Sequence, residues 1–414
     1  MRYLKEGFDQ KMEKKKNLGL VFFFVFIDLL GYSLILPLLP YYAEEYQATP
    51  FIVGLIGTIN ALGQLVAAPI IGRLSDRYGR RPLLIFSISG TVLSFLILGF
   101  ANTLFLLILS RFLDGILGGN VALAKAYITD VSEEKDRAKS LGLIGAAFGL
   151  GFIIGPVIGG TLAQFGYNVP AFVAAGLSFL NLVLVIWRLP ESLSPEAREK
   201  QRESPQTRFT LDLLIKELKR PCVGLLLQMQ LFYNLSFTLF TASFALFAKI
   251  TLDFTAQTTA YLLTLVGVIQ VIMQGFLIGK LTARFKERSL LFSGTIGLTV
   301  GLFLYAFTQN LAWMIVSLVP ISVSAGVANT MLTSQLSKST LKEDVGGTMG
   351  LSASTQTLAQ IVCPALGGLL IAELGGWAVG ILAALLMAVV VGMLYFRLRP
   401  LPEPCGDEAA SSVV

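Results

Sequence analysis

The amino-acid sequence predicts an all-α membrane protein of twelve transmembrane helices, arranged as two six-helix bundles, and three observations carry that expectation. Hydrophobic residues make up 54% of the 414 and charged residues only 14%, with a mean hydropathy of +0.72, which is far from the composition of a soluble chain. Twelve apolar runs are each long enough to cross a hydrocarbon core, which takes about 20 helical residues. The second half of the chain also repeats the first.

The runs lie near 18–41, 52–71, 83–101, 104–129, 140–163, 170–189, 222–248, 258–279, 289–308, 311–336, 346–371 and 376–396. The first is too long for a signal-peptide core, has no small-residue cleavage site and is followed by further spans, so it is expected to remain in the mature protein. Basic residues orient the chain, because Lys and Arg concentrate in cytoplasmic loops. With a cytoplasmic N-terminus, every one of the 32 basic residues lies inside except Lys249, which is outside, and Arg111 and Lys125, which fall within a span. Both termini are therefore expected in the cytoplasm. The net charge of +6 needs no nucleic-acid partner; it is this inside bias, together with attraction to anionic headgroups.

The repeat appears when the sequence is shifted by 207 to 208 residues. Gly72-Arg-Leu-Ser-Asp-Arg then meets Gly279-Lys-Leu-Thr-Ala-Arg, Arg81 meets Arg288, Gly119 meets Gly326, and Pro156, Gly159 and Gly160 meet Pro364, Gly367 and Gly368. Six spans per copy is an even number, so both copies enter from the same side as a parallel repeat. The expected organisation is an N-terminal bundle over 1–189, a polar cytoplasmic linker over 190–220, a C-terminal bundle over 221–399 and a disordered tail over 400–414. Within the linker, Phe209, Leu213, Leu214 and Leu218 suggest a short interfacial helix.

Composition also excludes chemistries. Cys222, Cys363 and Cys405 are too few and scattered for a disulfide framework or a thiolate metal site, so no metal is expected. There is no His, so a proton handled in this membrane must ride on Asp, Glu, Lys or Tyr. No G-x-x-x-x-G-K-[ST] phosphate loop occurs, which argues against an ATP-driven pump, and no enzymatic constellation stands out.

Three motifs bring a family into view. The loop GRLSDRYGRRPLL (72–84) resembles the signature loop of the major facilitator superfamily. Span four carries Arg111, Asp114 and Gly115 followed by Gly118, Gly119 and Asn120, and span five carries GLGFIIGPVIGG (149–160), similar to the antiporter signature of drug:proton exchangers. Span one adds Asp28 and Gly31 followed by Pro37 and Pro40. Together these resemble the tetracycline-exporter branch of the twelve-helix drug antiporters across the N-terminal half, and far less specifically beyond it. That branch is expected to carry a further membrane aspartate in span nine, which 289–308 lacks.

The resemblance implies multidrug or tetracycline-like efflux of a small amphiphilic solute, driven by the proton gradient without a cofactor, by a monomer in the cell membrane. Uptake or facilitated exchange of a metabolite without proton antiport stays open as the alternative. In the signature loop, Gly72 and Gly79 permit a sharp turn, and Asp76 can sit against the positive end of a helix. By resemblance Asp76 latches to span eleven, Arg80 pairs with Asp130, and Arg77 completes the gating motif. Asp76 aligns with Ala283 in the second copy, so gating is expected to be asymmetric.

Gly151, Gly155, Pro156, Gly159 and Gly160 allow close backbone packing around a proline bend, as either a moving or a static packing helix. Ionisable groups inside the bilayer default to functional candidates, and Asp28, Arg111 and Asp114 qualify; Lys125 can snorkel. Arg111 and Asp114, three apart, can neutralise each other, or Asp28 can compete for the same guanidinium and take up a proton when it loses. Leu318 and Ile321 replace Arg111 and Asp114 in the second copy, which confines proton coupling to the first. Four amide pairs, Asn60 with Gln64, Gln230 with Asn234, Gln270 with Gln274 and Gln356 with Gln360, are spaced four apart on single helix faces. They line a substrate cavity or make interhelical contacts.

Overall fold

The computed structural model describes residues 2–132, 137–193, 198–199, 223–340 and 345–397. The predicted tail and interfacial helix, and most of the linker, lie outside the described residues. Among the described residues, twelve helices are long and apolar enough to cross a membrane: α1 Leu18–Glu44, α2 Pro50–Tyr78, α3 Arg80–Gly99, α4 Leu104–Val131, α5 Gly142–Phe165, α6 Asn168–Arg188, α7 Val223–Leu252, α8 Ala256–Arg284, α9 Glu287–Ala306, α10 Leu311–Lys338, α11 Gly347–Glu373 and α12 Trp377–Phe396. No strand occurs among the described residues. In lipid, this lets every backbone polar group bond within its own segment.

The irregularities have local causes. α1 tightens into a 3₁₀ turn at Leu36–Leu38, where Pro37 and Pro40 withhold backbone donors. α8 carries a π segment over Met273–Leu277, a form that clusters at functional positions. Span four, expected as one helix, is two: Leu104–Leu117 and Asn120–Val131, parted at Gly118 and Gly119. α2 runs well past the predicted end at 71 because its last turns leave the apolar run while keeping helical geometry. The three tryptophans all sit in terminal turns, Trp187 at the end of α6 and Trp313 and Trp377 at the starts of α10 and α12. Amphipathic rings favour that depth, at the membrane–water interface.

The helices divide into two compact units. Unit 1 comprises Met1–Ala48, Ile59–Gln206 and Thr255–Thr264; unit 2 comprises Thr49–Thr58, Thr207–Phe254 and Leu265–Val414. Within unit 1, α1 packs on α5 and α6, and α3 on α4 and α6; within unit 2, α7 packs on α11 and α12, and α9 on α10 and α12. Adding six to each number in the first set gives the second, which is the sequence repeat expressed as packing. The first turns of α2 and of α8 are grouped out of sequence order. In unit 2 the Thr58 hydroxyl donates to the Ile361 carbonyl at 2.7 Å and accepts from the Ala365 N–H at 3.2 Å. In unit 1 Tyr41 and Thr259 share a hydroxyl–hydroxyl bond of 2.6 Å.

Small residues set how closely the helices approach. In unit 1, a Cβ on Gly155 would strike the Ser33 hydroxyl and one on Gly159 the Leu34 carbonyl oxygen, so α5 lies backbone against α1. The Ser33 hydroxyl donates to the Gly151 carbonyl at 2.7 Å across that contact. Pro156 lies inside a continuous helix. Gly160 packs on Ala260 and Gln257 of the α8 tip. Unit 2 repeats the device where Gly367 meets the Ser243 hydroxyl, and its core holds the ring cluster of Phe240, Phe244, Phe247 and Tyr305.

Candidate functional site

Two glycines bring the charged residues of span four against α2. A Cβ on Gly63 would lie 2.9 Å from the Gly115 carbonyl carbon, and one on Gly115 would strike the Asn60 carbonyl. This contact sets the Asn60 amide beside the charges. Its Nδ2 donates to the Arg111 carbonyl at 2.9 Å and to Asp114 Oδ2 at 3.1 Å, while its Oδ1 accepts from Gln64 Nε2 at 2.9 Å. Arg111 and Asp114 are both buried. Their ion pair spans 3.4 Å through a single contact. The guanidinium also donates to Ser94 Oγ at 3.1 Å and lies 5.2 Å over the Phe95 ring. A charge held this way is satisfied by hydrogen bonds and a ring face as much as by its counter-ion.

Asp28 is not the partner of Arg111 here, where the guanidinium meets Asp114. Its partner is a neutral amide: Asn120 Nδ2 donates to Asp28 Oδ1 at 2.6 Å and to Thr91 Oγ1 at 3.0 Å. The reason is the break in α4. Gly118 and Gly119 leave the helix and Asn120 restarts it, which presents that amide to α1. The break is stabilised from α3, where the Ser87 hydroxyl donates to the Leu117 carbonyl at 2.5 Å and accepts from the Gly119 N–H at 2.8 Å. One buried serine thus bonds both backbone groups at the interruption, where the Gly119 N–H also donates to the Leu117 carbonyl at 3.0 Å. Lys125 is exposed.

The signature loop shrinks to one residue. Gly72 lies inside α2 with open space where a Cβ would be, so it does not turn the chain; Gly79, at φ +106°, does so alone. Arg80 Nη1 meets Asp76 Oδ1 at 2.6 Å, and its Nε meets Asp130 Oδ2 at 3.0 Å. Arg77 stays exposed, with its guanidinium 5.4 Å over the Tyr78 ring. Sequence reasoning missed Glu191, whose carboxylate accepts the N–H groups of Arg80 at 2.8 Å and Arg81 at 3.2 Å, at the positive end of α3. Its signal was present: a lone acid one residue after Pro190, following a span that ends in Arg188.

It also missed a pair in unit 2. Glu287 Oε1 meets Lys338 Nζ at 2.6 Å, joining the start of α9 to the end of α10. Under the repeat offset these are the positions of Arg80 and Asp130 with the charges exchanged. Aligning the copies by residue type hides a pair that keeps its place and inverts its sign.

The amide pairs separate. Asn60 and Gln64 belong to the charged network just described. In unit 2, Asn234 donates to Thr355 Oγ1 at 2.9 Å and Gln230 is buried, whereas Gln270 is half-buried and Gln274, Gln356 and Gln360 are exposed.

The sequence matches the profile of the Major Facilitator Superfamily over residues 21–340 and 226–412. The chain belongs to that superfamily. This facilitator-superfamily member is 28% identical to the class H tetracycline resistance protein of Pasteurella multocida, over 93% of this chain and 97% of that protein. It is 29% identical to multidrug resistance protein 2 of Bacillus subtilis strain 168, over 84% and 86%. Among solved structures, the human organic anion transporter MFSD10 superposes with a TM-score of 0.66 at 21% identity, covering 92% of this chain and 99% of that one. The chain is therefore a multi-pass membrane transporter of small-molecule substrates.

Proposed function

We propose that this transporter exports an amphiphilic organic solute in exchange for protons by alternating access, with both termini in the cytoplasm of the cell. The observation that carries the proposal is the unequal treatment of two membrane carboxylates in unit 1. Asp114 has the buried cation, Arg111, while Asp28 has, among the described residues, the Asn120 amide alone. A carboxylate held by a neutral group can take a proton without breaking an ion pair, so Asp28 is the proton carrier and Arg111 with Asp114 sets the field around it. The resistance proteins of Pasteurella and Bacillus support export of a drug-like solute. In α9, the one acid is Glu287 at its first residue, paired with Lys338, so the tetracycline pattern is not reproduced there and a different amphiphile is favoured. The exposed amides Gln274, Gln356 and Gln360 are its candidate hydrogen-bond partners.

Proteoliposomes with an imposed pH gradient and an amphiphilic cation such as ethidium test this. Asp28→Asn should abolish uphill accumulation while leaving downhill exchange measurable. Uphill transport at the normal rate would make Asp28 a structural partner, and transport indifferent to the gradient in the unaltered protein would favour facilitated exchange.

A further inference from the structure

The amide of Asn120 is bonded at one end only. The residue is 4% exposed, both its hydrogen bonds leave from Nδ2, and its Oδ1 is buried without a partner. Stranding an acceptor inside a membrane bundle is costly, and Oδ1 has nothing to accept while Asp28 is a carboxylate. Both groups that face Nδ2, however, can change from acceptor to donor. Asp28 becomes an O–H donor by taking one proton. Thr91 does so by rotating its hydroxyl hydrogen, which now points along a long 3.3 Å contact to the Ser87 carbonyl.

We propose that Asn120 is a positioning residue that reads the protonation state of Asp28; the inference rests on the proton-carrier reading of Asp28 and deepens it. With Asp28 ionised, Nδ2 faces the carboxylate. When a proton adds to the Asp28 carboxylate, the amide turns by half a revolution about its terminal bond, which exchanges Nδ2 and Oδ1 within nearly the same volume. Oδ1 then accepts from the Asp28 hydroxyl and from Thr91. The stranded acceptor of one state is the used acceptor of the other, so in each protonation state the Asp28–Asn120 contact pairs a donor with an acceptor. Asn120 is also the first residue after the break in α4, and Thr91 contacts Ser87, which bridges that break. The amide therefore hands the state of Asp28 to the place where the span is interrupted.

The ionisable groups near this site are few. Asp114 from α4 acts on Asp28, and Tyr32, further along α1, senses both Asp114 and Arg111. The rest of α4 adds Lys125 and Asp130 toward its far end. α5 carries no charged residue within Gly142–Phe165, α6 only Arg188 at its end, and α3 only Arg80 and Arg81 at its start.

Infrared difference spectra between alkaline and acidic buffer on the purified full chain, labelled with ¹³C-asparagine, need no substrate. The unaltered protein should show a carboxylic-acid carbonyl band on acidification together with a shift of one asparagine side-chain carbonyl. Asp28→Asn should lose the acid band; if it does not, the proton-carrier reading fails. Asn120→Leu should keep the acid band, move it to higher wavenumber and lose the asparagine shift. An acid band lost in Asp28→Asn but unmoved in Asn120→Leu overturns the Asn120 inference alone. Should Asn120→Leu not purify as a monodisperse protein, Thr91→Val must change the asparagine shift, and an unchanged shift overturns the inference equally.

Discussion

The two related ion pairs at the helix ends should differ sharply in what they contribute, and the structure supplies the magnitudes. Arg80 and Asp130 have side chains 7% and 14% exposed, and Arg80 serves Asp76 as well. Arg80→Ala therefore removes the cation shared by two carboxylates in a largely dry site, where breaking a buried pair costs about 3 to 5 kcal/mol. Glu287 and Lys338 are 27% and 61% exposed. A pair in that setting contributes about 0.2 to 1 kcal/mol, so Lys338→Ala should be mild. Helix dipoles add to the contrast, because Glu287 opens α9 and Lys338 closes α10, both in the favoured sense, while Arg80 and Asp130 stand in the opposed sense. The Glu191 carboxylate at the start of α3 offsets this, which ties the unit 1 cluster to the segment after α6. The assay is thermal denaturation of the purified full chain in detergent, followed by the fraction that remains monodisperse on gel filtration. Arg80→Ala should lower the apparent midpoint at least about threefold more than Lys338→Ala, the ratio those burials imply. Equal losses would refute the burial argument and make the second pair as firmly held as the first.

Three further outcomes follow from named contacts. Ser87→Ala removes the hydroxyl that bridges the Leu117 carbonyl and the Gly119 N–H, which keep their own 3.0 Å bond, and should cost about 0.5 to 1.5 kcal/mol per lost hydrogen bond in the same assay; a midpoint equal to wild type would mean that the remaining bond holds the break by itself. Gly159→Ala drives a methyl into the Leu34 carbonyl of α1 and should cost about 1 to 3 kcal/mol or more, whereas Gly142→Ala on the same helix meets nothing within 4 Å and should be neutral; similar effects from both would refute the packing account. Single-cysteine labelling in intact cells should modify position 45 and spare position 205 from outside, and the reverse pattern would overturn the cytoplasmic placement of the termini.

Much of the architecture was legible because the bilayer is a strict solvent. It demands runs of about 20 apolar residues and internally satisfied backbones, so helix number follows from hydropathy, and the repeat offset follows from comparing the copies. Side-chain candidates were legible for the same reason: Asp28, Arg111 and Asp114 stand out where charges are costly. Their pairing was not, since residues nine apart on a regular helix predict a different geometry from residues separated by the Gly118–Gly119 break. That break looked like two ordinary small residues in an apolar span.

By itself, then, the sequence determined the twelve spans, the doubled unit, the placement of the ionisable residues in the first copy and the glycine face of α5, because each depends on local composition and period. Only the tertiary structure decided that Asp28 rests on Asn120 rather than Arg111, that Ser87 holds the interruption of α4, that Gly79 alone turns the signature loop, that Glu191 occupies the start of α3, and that Glu287 and Lys338 invert the pair of Arg80 and Asp130. All but the Gly79 turn are contacts between segments apart in the chain. Partners of that kind are chosen by the angle and closeness at which helices pack, and those are set by the shapes of many side chains at once.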